Sequence, residues 1–185
     1  MKLKRFNFKN INSTNDLAIR IIKSSSVKSG IVIAEKQIKG RGQYGKKWIS
    51  PKGNLFVSIF FPIGKIKLSL KDLTKINCLL VKKLISGLYK GKILIRYPND
   101  LLINKKKISG ILQETLSKAD EKFIIVGIGI NLIKSPKIRA YPTTNLFELT
   151  NIKNDSYNTA LKLKKIYEKY IPILVKFNVK NINKI

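Results

Sequence analysis

Histidine is absent from this sequence, cysteine occurs once, and arginine occurs five times among 185 residues. Without histidine, imidazole acid–base catalysis and zinc sites built from Cys and His are excluded. The lone Cys78 excludes a disulfide framework within one chain, which is typical of a reducing compartment. No run approaches the roughly 18 apolar residues of a membrane-spanning helix, and the first ten residues lack the pattern of a signal peptide. We therefore expect a cytoplasmic protein without membrane association.

Acidic residues are also scarce, since ten aspartates and glutamates stand against 38 lysines and arginines and leave a formal charge of +28. Such a charge is typical of proteins that bind nucleic acids. However, 33 of the cations are scattered lysines in a chain rich in isoleucine and asparagine, the residues that AT-rich codons supply. We interpret most of the charge as compositional drift on a solvated surface, with nonspecific polyanion binding expected at low salt. A non-enzymatic polyanion-binding protein is the alternative from a different class.

The length fits one domain, and the order of elements indicates its class. Helical spacing of apolar residues, preceded in the first case by capping residues, predicts helices at 17–22, 68–88 and 155–177, the last one broken or kinked at Pro172. Runs rich in β-branched and aromatic residues predict strands at 31–37, 54–61, 93–96, 101–103, 108–115 and 123–131. This arrangement predicts an α+β fold with a mixed or antiparallel central sheet and helices on one face.

Residues 40–48 are the most informative segment and read Gly-Arg-Gly-Gln-Tyr-Gly-Lys-Lys-Trp. The glycines let the backbone approach a ligand closely and expose its N–H donors. Arg41 supplies a planar fork for a carboxylate or phosphate, the lysines supply point charges, and Trp48 supplies a flat face for a ring. The pattern predicts a loop that wraps an anionic ligand, although a plain turn has the same composition.

A second group of residues lies near the middle of the chain. Asp100 follows a proline turn, and Lys107 begins the returning strand of a predicted hairpin around 104–106. A short hairpin brings these two side chains together, although each residue alone is also compatible with an ordinary surface position. Further along, Gly127 and Gly129 interrupt a strand, which indicates either a bulge or the close approach of a ligand.

Taken together, these segments resemble the catalytic domain of biotin protein ligases, whose fold resembles that of class II aminoacyl-tRNA synthetases. Five motifs of that family occur here in order. They are Ser13-Thr14-Asn15, the glycine loop 40–48, Tyr-Pro-Asn-Asp at 97–100, Lys-Ile-Ser-Gly-Ile-Leu-Gln-Glu at 107–114, and Gly-Ile-Gly-Ile-Asn at 127–131. The resemblance covers about residues 10–150.

The resemblance implies ATP-dependent ligation of biotin to a lysine of a biotin carboxyl carrier protein, a subunit of acetyl-CoA carboxylase, through biotinyl-5′-AMP. The first step joins two anions, so it requires cations and N–H donors where negative charge develops. ATP, biotin and Mg²⁺ are the implied ligands. The ligands of the metal stay open, with Glu114 and Asp100 as candidates.

The same resemblance assigns roles to residues of this chain. Catalytic roles fall to Lys107, Arg41 and Asp100. Contacts with biotin fall to Ser13, Thr14, Asn15, Gln37, Gly40, Arg41, Gly42, Gln43, Lys107, Gly110 and Gly129. Contacts with ATP fall to Arg41, Trp48, Lys107 and Asn131, with Trp48 near the adenine.

The chain also departs from the family pattern. Gln43 stands where a second loop arginine is common, which predicts weaker retention of the adenylate. Only 12 residues precede Ser13, so we expect neither the DNA-binding helix-turn-helix domain of repressor-type members nor specific DNA binding. The small C-terminal β domain is likewise expected to be absent, which leaves one catalytic domain over 1–185. The oligomeric state stays open, with a homodimer through the sheet edge as one option.

The nearest rival is a lipoate–protein ligase or transferase, which shares the fold and the chemistry of an acyl adenylate. Lipoate enzymes resemble one another in a stretch that reads Arg-Arg-x-x-Gly-Gly-Gly-x-Val-x-His. The present sequence has no histidine and no triple glycine, so biotin is favoured over lipoate.

Overall fold

A computed structural model of the chain describes residues 1–177, which contain a seven-stranded mixed sheet. The strands are β1 Lys4–Ile11, β2 Gly30–Gln37, β3 Leu55–Pro62, β4 Leu94–Arg96, β5 Asp100–Ile103, β6 Lys106–Lys118 and β7 Glu121–Ile130. Their spatial order is β1-β2-β3-β7-β6-β5-β4. The β1–β2 pair is parallel and the other neighbours are antiparallel, so the predicted mixed sheet is confirmed.

Four α-helices accompany the sheet in the described part of the chain. They are α1 Thr14–Ser24, α2 Leu70–Ser86, α3 Leu146–Thr150 and α4 Ser156–Leu174. Each begins after a residue whose side chain accepts a backbone N–H of the first turn, which is the usual role of a helix N-cap. These caps are Ser13, Ser69, Asn145 and Asp155.

The predicted strands and long helices are all present, but three details differ. The strand β1 was not predicted, because most of its residues are polar and exposed and its apolar alternation is limited to Phe6 and Phe8. The helix α3 is only five residues long, too short to show a helical period. The predicted break at Pro172 is wrong, since α4 continues through it to Leu174. In the last turn, proline removes little of the helix hydrogen bonding.

The prediction that helices cover one face of the sheet is also wrong, because the helices lie on both faces. In β2, Ile31 and Ile33 belong to the apolar core that contains α2 and α4, whereas Val32 between them packs with Ala18 and Ile22 of α1. Successive side chains of a strand point to opposite faces. A strand buried on both faces reads as a continuous apolar run, which does not reveal how the helices are divided.

The side chains of β7 explain why a pocket forms on one face of the sheet. The residues that face α2 and α4 are large throughout and pack in the main core: Ile124, Val126, Ile128 and Ile130. On the α1 face, Phe123 and Ile125 are followed by Gly127 and Gly129. Because these two glycines have no side chains, space is left above this face of the sheet, next to the N-terminal end of α1.

None of the helices within residues 1–177 combines the length and the apolar character needed to cross a bilayer. The predicted absence of a C-terminal β domain concerns the end of the chain, and residues 178–185 lie outside the described part.

Candidate active site

A pocket of about 300 Å³ opens on the α1 face of the sheet, above the glycines of β6 and β7. Small-molecule sites in proteins begin at about this size. The predicted site residues that line it are Ser13, Thr14, Asn15, Gln37, Arg41, Gly42, Gln43, Trp48, Asp100, Lys107, Gly110 and Gly129. Gly40 and Asn131 do not line it.

The predicted proximity of Asp100 and Lys107 is confirmed. Lys107 Nζ lies 2.6 Å from Asp100 Oδ1, and only 11% and 13% of the two side chains are exposed. The other oxygen of Asp100 accepts a hydrogen bond of 2.7 Å from Arg96. The Lys107 ammonium also lies 5.2 Å from the Trp48 ring and 5.1 Å from the Tyr141 ring, within the range of cation–π attraction. A nearly buried cation is therefore held at one wall of the pocket.

The local fold places Lys107 through its backbone as well as its side chain. The β5–β6 hairpin turns at Asn104 and Lys105, which both have positive φ, as a two-residue type I′ turn requires. On the other side, Lys107 N donates to the Pro142 carbonyl at 2.9 Å, and the Lys107 carbonyl accepts from Thr144 N at 3.0 Å. These contacts fix the starting point of the lysine side chain from both sides.

Polar groups from α1 and β2 meet at the opposite end of the pocket. Gln37 Oε1 accepts hydrogen bonds from Thr14 N and Thr14 Oγ1, at 2.8 and 3.0 Å. The hydroxyl oxygen of Ser13 accepts from Asp16 N as the cap of α1, an arrangement in which its O–H can still be donated to a ligand. Ser13, Thr14 and Gln37, which were predicted to contact biotin, thus form one polar corner.

Trp48 lies on a floor made by two glycines that pair across β6 and β7, Gly110 and Gly129. A Cβ atom on Gly110 would lie 2.7 Å from the indole, and one on Gly129 would be closer still. Real side chains do not tolerate such contacts, so glycine is required at both positions while the ring rests there. The buried indole Nε1 has no hydrogen-bond partner among residues 1–177. An orphaned buried donor beside a pocket is typical of a group that a ligand satisfies.

Two of the predicted ligand contacts have polar atoms that serve the fold. Asn15 donates to Glu114 at 2.6 Å and accepts from Ser58 Oγ at 2.5 Å, so it lines the pocket with its amide already bonded. Asn131 is buried outside the lining, and its amide donates to the Thr144 carbonyl at 3.1 Å. The predicted contact of Asn131 with a nucleotide stays a prediction.

Gly40 also has a packing role. A Cβ atom there would lie 2.9 Å from Ser50 Oγ and closer to the Trp48 carbonyl. The absence of a side chain therefore lets the two ends of the glycine loop approach each other, and Trp48 N donates to the Gly40 carbonyl at 2.8 Å. The predicted contact of Gly40 with biotin stays a prediction.

Arg41 is held by two carboxylates. Its Nη1 and Nη2 donate to the two oxygens of Glu114 at 3.1 and 2.9 Å, and Nη2 lies 2.7 Å from Asp16 Oδ1. Burial opposes the guanidinium charge, but Glu114 and Asp16 outweigh this effect and raise the pKa of Arg41. The bidentate pair joins the loop to β6, and the second pair joins it to α1.

The negative charge of Asp100 affects two neighbouring groups. Burial raises the pKa of the Cys78 thiol to about 12, and Asp100 adds to this effect. Burial followed by Asp100 also raises the pKa of Tyr141, while Lys46 and Arg96 oppose the shift. Both groups therefore stay protonated at neutral pH, and Cys78 behaves as a core residue whose Sγ donates to the Pro98 carbonyl.

The carboxylates near the pocket do not form a metal site by themselves. Asp100 is paired with Lys107 and Arg96, and Glu114 is paired with Arg41. Within residues 1–177, three or more Asp, Glu, His or Cys side chains are nowhere grouped as metal ligands would be. These residues do not fit a Mg²⁺ ion held by the protein alone.

Sequence reasoning missed two participants, Tyr141 and Asp16. Tyr141 lines the pocket from a connection without periodic pattern, and it meets Lys107 only through the fold. Asp16 lies in the first turn of α1, and no local pattern indicates its ion pair with Arg41. The scarcity of acidic residues was a usable signal, since Asp16, Asp100 and Glu114 are three of only ten in the chain.

Comparison with known proteins gives a family and several relatives. The model of the biotin/lipoate A/B protein ligase family matches residues 7–131. The bifunctional ligase/repressor BirA of Escherichia coli is 35% identical over 125 residues, which cover 66% of this chain and 38% of that protein. The biotin–[acetyl-CoA-carboxylase] ligase of Paracoccus denitrificans is 33% identical over 128 residues, which cover 67% of this chain and 52% of that protein.

A solved structure extends the likeness to the whole fold. The biotin protein ligase from Aquifex aeolicus in complex with biotin and ATP matches with a TM-score of 0.78 and 28% identity, over 98% of this chain and 72% of that chain. The predicted likeness to the catalytic fold of biotin ligases is thereby confirmed. The present chain spans less than two thirds of the length of the two curated relatives.

Proposed function

Since the chain belongs to the biotin/lipoate A/B protein ligase family, we propose that it activates biotin with ATP and transfers it to a lysine side chain of a carboxyl carrier protein. The named relatives are biotin ligases, and one solved relative holds biotin and ATP. The pocket supports the same chemistry through residues of this chain.

The observation that carries the proposal is the position of Lys107. Its ammonium lies at the pocket wall, where Asp100 and two aromatic rings hold it and only 11% of the side chain is exposed. In such a poorly solvated place, a cation interacts strongly with developing negative charge. The polar corner of Ser13, Thr14 and Gln37 lies in the same pocket. The Ser13 hydroxyl can still donate and the Thr14 hydroxyl can still accept, which suits a ureido ring that needs polar partners once buried.

In the first step, a carboxylate oxygen of biotin forms a bond with the α-phosphorus of ATP. The bond from that phosphorus to the oxygen bridging to the β-phosphate breaks, and pyrophosphate leaves with the electron pair. Both reactants are anions, so their approach is unfavourable without compensation. Lys107 reduces this repulsion, and the glycine loop contributes the cations Lys46 and Lys47, which line the pocket.

In the second step, the uncharged amine of the acceptor lysine attacks the acyl carbon of biotinyl-5′-AMP. The acceptor lysine arrives as its ammonium form, which the charge of Asp100 attracts, and it gives one proton to solvent before the attack. The bond between the acyl carbon and the phosphate oxygen then breaks, AMP leaves with the electron pair, and the nitrogen gives a second proton to solvent. Asp100 keeps Lys107 in place during both steps. No side-chain nucleophile is needed, which agrees with the absence of histidine.

The acceptor and the compartment belong to the same proposal. The acceptor is the biotin carboxyl carrier protein, because the Paracoccus relative is named for acetyl-CoA carboxylase. The lone buried Cys78 supports a reducing compartment such as the cytoplasm. Mg²⁺ enters only as the counterion that ATP carries, and no step depends on a metal held by this chain.

The test is transfer of labelled biotin to a purified carboxyl-carrier domain in the presence of ATP. The Lys107→Ala variant is expected to lose about 10²- to 10³-fold of the activity, as for removal of one group that stabilises transition-state charge. Lys106→Ala is the matched control, because Lys106 is the preceding lysine, is about half exposed and pairs only distantly with Glu148. Its activity is expected to stay near that of the unaltered protein.

The possible results separate the proposals. Adenylate formation without transfer would limit the function to activation of biotin. Transfer of lipoate in place of biotin would move the chain to the other branch of its family. Equal activity of Lys107→Ala and Lys106→Ala would remove Lys107 from the mechanism.

A further inference from the structure

Two carboxylates converge on Arg41 in a chain where carboxylates are rare. The chain has ten acidic residues and 38 cations, so most cations have no carboxylate available. Yet Glu114 accepts two hydrogen bonds from Arg41, and Asp16 forms an ion pair with the same guanidinium at 2.7 Å. The concentration of two scarce groups on one arginine indicates that its position matters.

Glu114, which forms two hydrogen bonds with Arg41, is itself positioned by a hydrogen bond from Asn15. Asn15 Nδ2 donates to Glu114 Oε2 at 2.6 Å, and Asn15 Oδ1 accepts from Ser58 Oγ at 2.5 Å. Ser58 is fully buried in β3, an interior strand of the sheet. A continuous hydrogen-bonded path therefore runs from the sheet to the Arg41 guanidinium.

Arg41 in turn belongs to a loop that is closed on itself. The loop backbone is joined by hydrogen bonds from Gly42 N to the Lys46 carbonyl and from Trp48 N to the Gly40 carbonyl. At the tip, the Tyr44 side chain is 91% exposed. The loop thus behaves as a small hairpin, and its base is joined to α1 and β6 through the Arg41 side chain.

We propose that Asp16 and Glu114 are positioning residues that anchor Arg41 and thereby hold the glycine loop at the pocket. A guanidinium has five N–H groups, and the contacts with Glu114 and Asp16 use three of them, which leaves two for a ligand anion. The anchor favours the loop position in which Trp48 borders the pocket, which lowers the ordering cost of ligand binding. The consequence for catalysis rests on the proposed function, whereas the anchoring itself does not.

The anchoring is testable without enzyme activity, because Trp48 is the only tryptophan and stands at the end of the loop. In Glu114→Gln, we expect the Trp48 emission to shift to longer wavelength and its quenching by acrylamide to increase. Cleavage by chymotrypsin after the exposed Tyr44 is expected to be about threefold to tenfold faster, since an ion pair that limits loop opening is lost. Tyr97 is followed by proline and is not a competing cleavage site.

Glu121→Gln is the matched control, because Glu121 forms an exposed ion pair with Lys28 at 2.8 Å on the same sheet. It is expected to leave the emission, quenching and cleavage unchanged. Asp16→Asn is the second variant, with a smaller shift in the same direction, and it keeps the test decisive if Glu114→Gln folds poorly. Arg41→Gln combined with Glu114→Gln is expected to be no worse than either change alone.

Loop behaviour in Glu114→Gln and Asp16→Asn that matches the unaltered protein would overturn the proposal. In the biotin-transfer assay, the anchored loop predicts that Glu114→Gln raises KM for both substrates more than it lowers kcat. A protein that transfers no biotin at all, yet shows the loop effects, would contradict the proposed function while supporting the anchoring.

Discussion

Lys107 and Lys164 each hold a carboxylate in a nearly buried ion pair, at 2.6 Å from Asp100 in the pocket and at 2.5 Å from Glu168 on α4. The exposed fractions of the side chains are also similar, 11% and 13% in the pocket against 18% and 19% on the helix. The surroundings differ. Glu168 accepts a second hydrogen bond from the backbone N–H of Leu3, whereas Asp100 and Lys107 face the pocket.

The difference shows that pair geometry alone does not indicate a function. On α4, the carboxylate joins the N-terminus of the chain to a helix, and its other partner comes from the same helix four residues away. In the pocket, the lysine comes from β6 and the carboxylate from the start of β5, and aromatic rings of two further segments cover the ammonium. The Lys164–Glu168 pair stabilises a contact of the fold, whereas the Lys107–Asp100 pair places a cation at the wall of the pocket.

The largest expected effect comes from neutralising the carboxylate of each pair. In Asp100→Asn, Lys107 and Arg96 lose their shared counter-charge, so ligation falls by about 10²-fold and the melting temperature falls as well. In Glu168→Gln, we expect ligation to be kept and stability alone to be reduced, by about 1 kcal/mol. Biotin transfer and thermal unfolding of both variants check the contrast. Similar losses of activity in both variants would show that the Asp100–Lys107 pair has no specific role in ligation.

The second expected effect concerns the glycines under Trp48. In Gly129→Ala, the added methyl group would overlap the indole, so either the ring or the sheet must move, at a cost of about 1–3 kcal/mol. Gly64→Ala is the matched control, because the space around its added Cβ atom is open. We expect a lower melting temperature and a red-shifted Trp48 emission for Gly129→Ala alone. An unchanged emission would indicate that the indole does not rest on this floor in solution.

The third prediction uses the titration of the α4 pair. Burial opposes the charged form of Glu168, but the hydrogen bond from Lys164 and the N–H of Leu3 outweigh it and lower its pKa. A lowered folded-state pKa means that the contribution to stability is fully present above the unfolded-state value of about 4.3. It is lost as the pH falls through the folded-state value.

The measurement is urea unfolding of the unaltered protein and Glu168→Gln at pH 7 and at pH 3. The difference in the free energy of unfolding is expected to be clear at pH 7 and to decrease strongly at pH 3. A difference of equal size at both pH values would show that the carboxylate charge has no part in the contact.

The sequence predicted those parts of the molecule that depend on local chemistry. The Asp100–Lys107 pair follows from one short hairpin, and the cap at Ser13 follows from residue type. The Arg41–Glu114 pair joins residues 73 positions apart, and no local pattern indicates such a contact. The division of helices between two faces was unpredictable for a related reason, since β2 is buried on both sides and has no alternation to read.

The sequence therefore identified the residues of the site more completely than the contacts that these residues make. Asn15 illustrates the difference, since its motif placed it at the pocket, but its amide is bonded to Ser58 and Glu114. Which polar atoms are already satisfied depends on neighbours from distant strands. Only the folded chain reveals that Asn15 supports the Arg41 anchor.

The smallest expected effect concerns Gln43, which lines the pocket at the start of the 3₁₀ turn Gln43–Gly45. The resemblance to biotin ligases predicts an arginine at this position, and a further cation there would attract the phosphate of biotinyl-5′-AMP. In Gln43→Arg, we expect release of free adenylate to slow by about twofold to fivefold, the range for one partly exposed ion pair. In Gln43→Glu, release is expected to be faster than in the unaltered protein. The ratio of released to retained adenylate, measured without acceptor at low and high salt, checks both changes. If Gln43→Arg releases adenylate faster than the unaltered protein, the missing positive charge at position 43 does not limit retention of the adenylate.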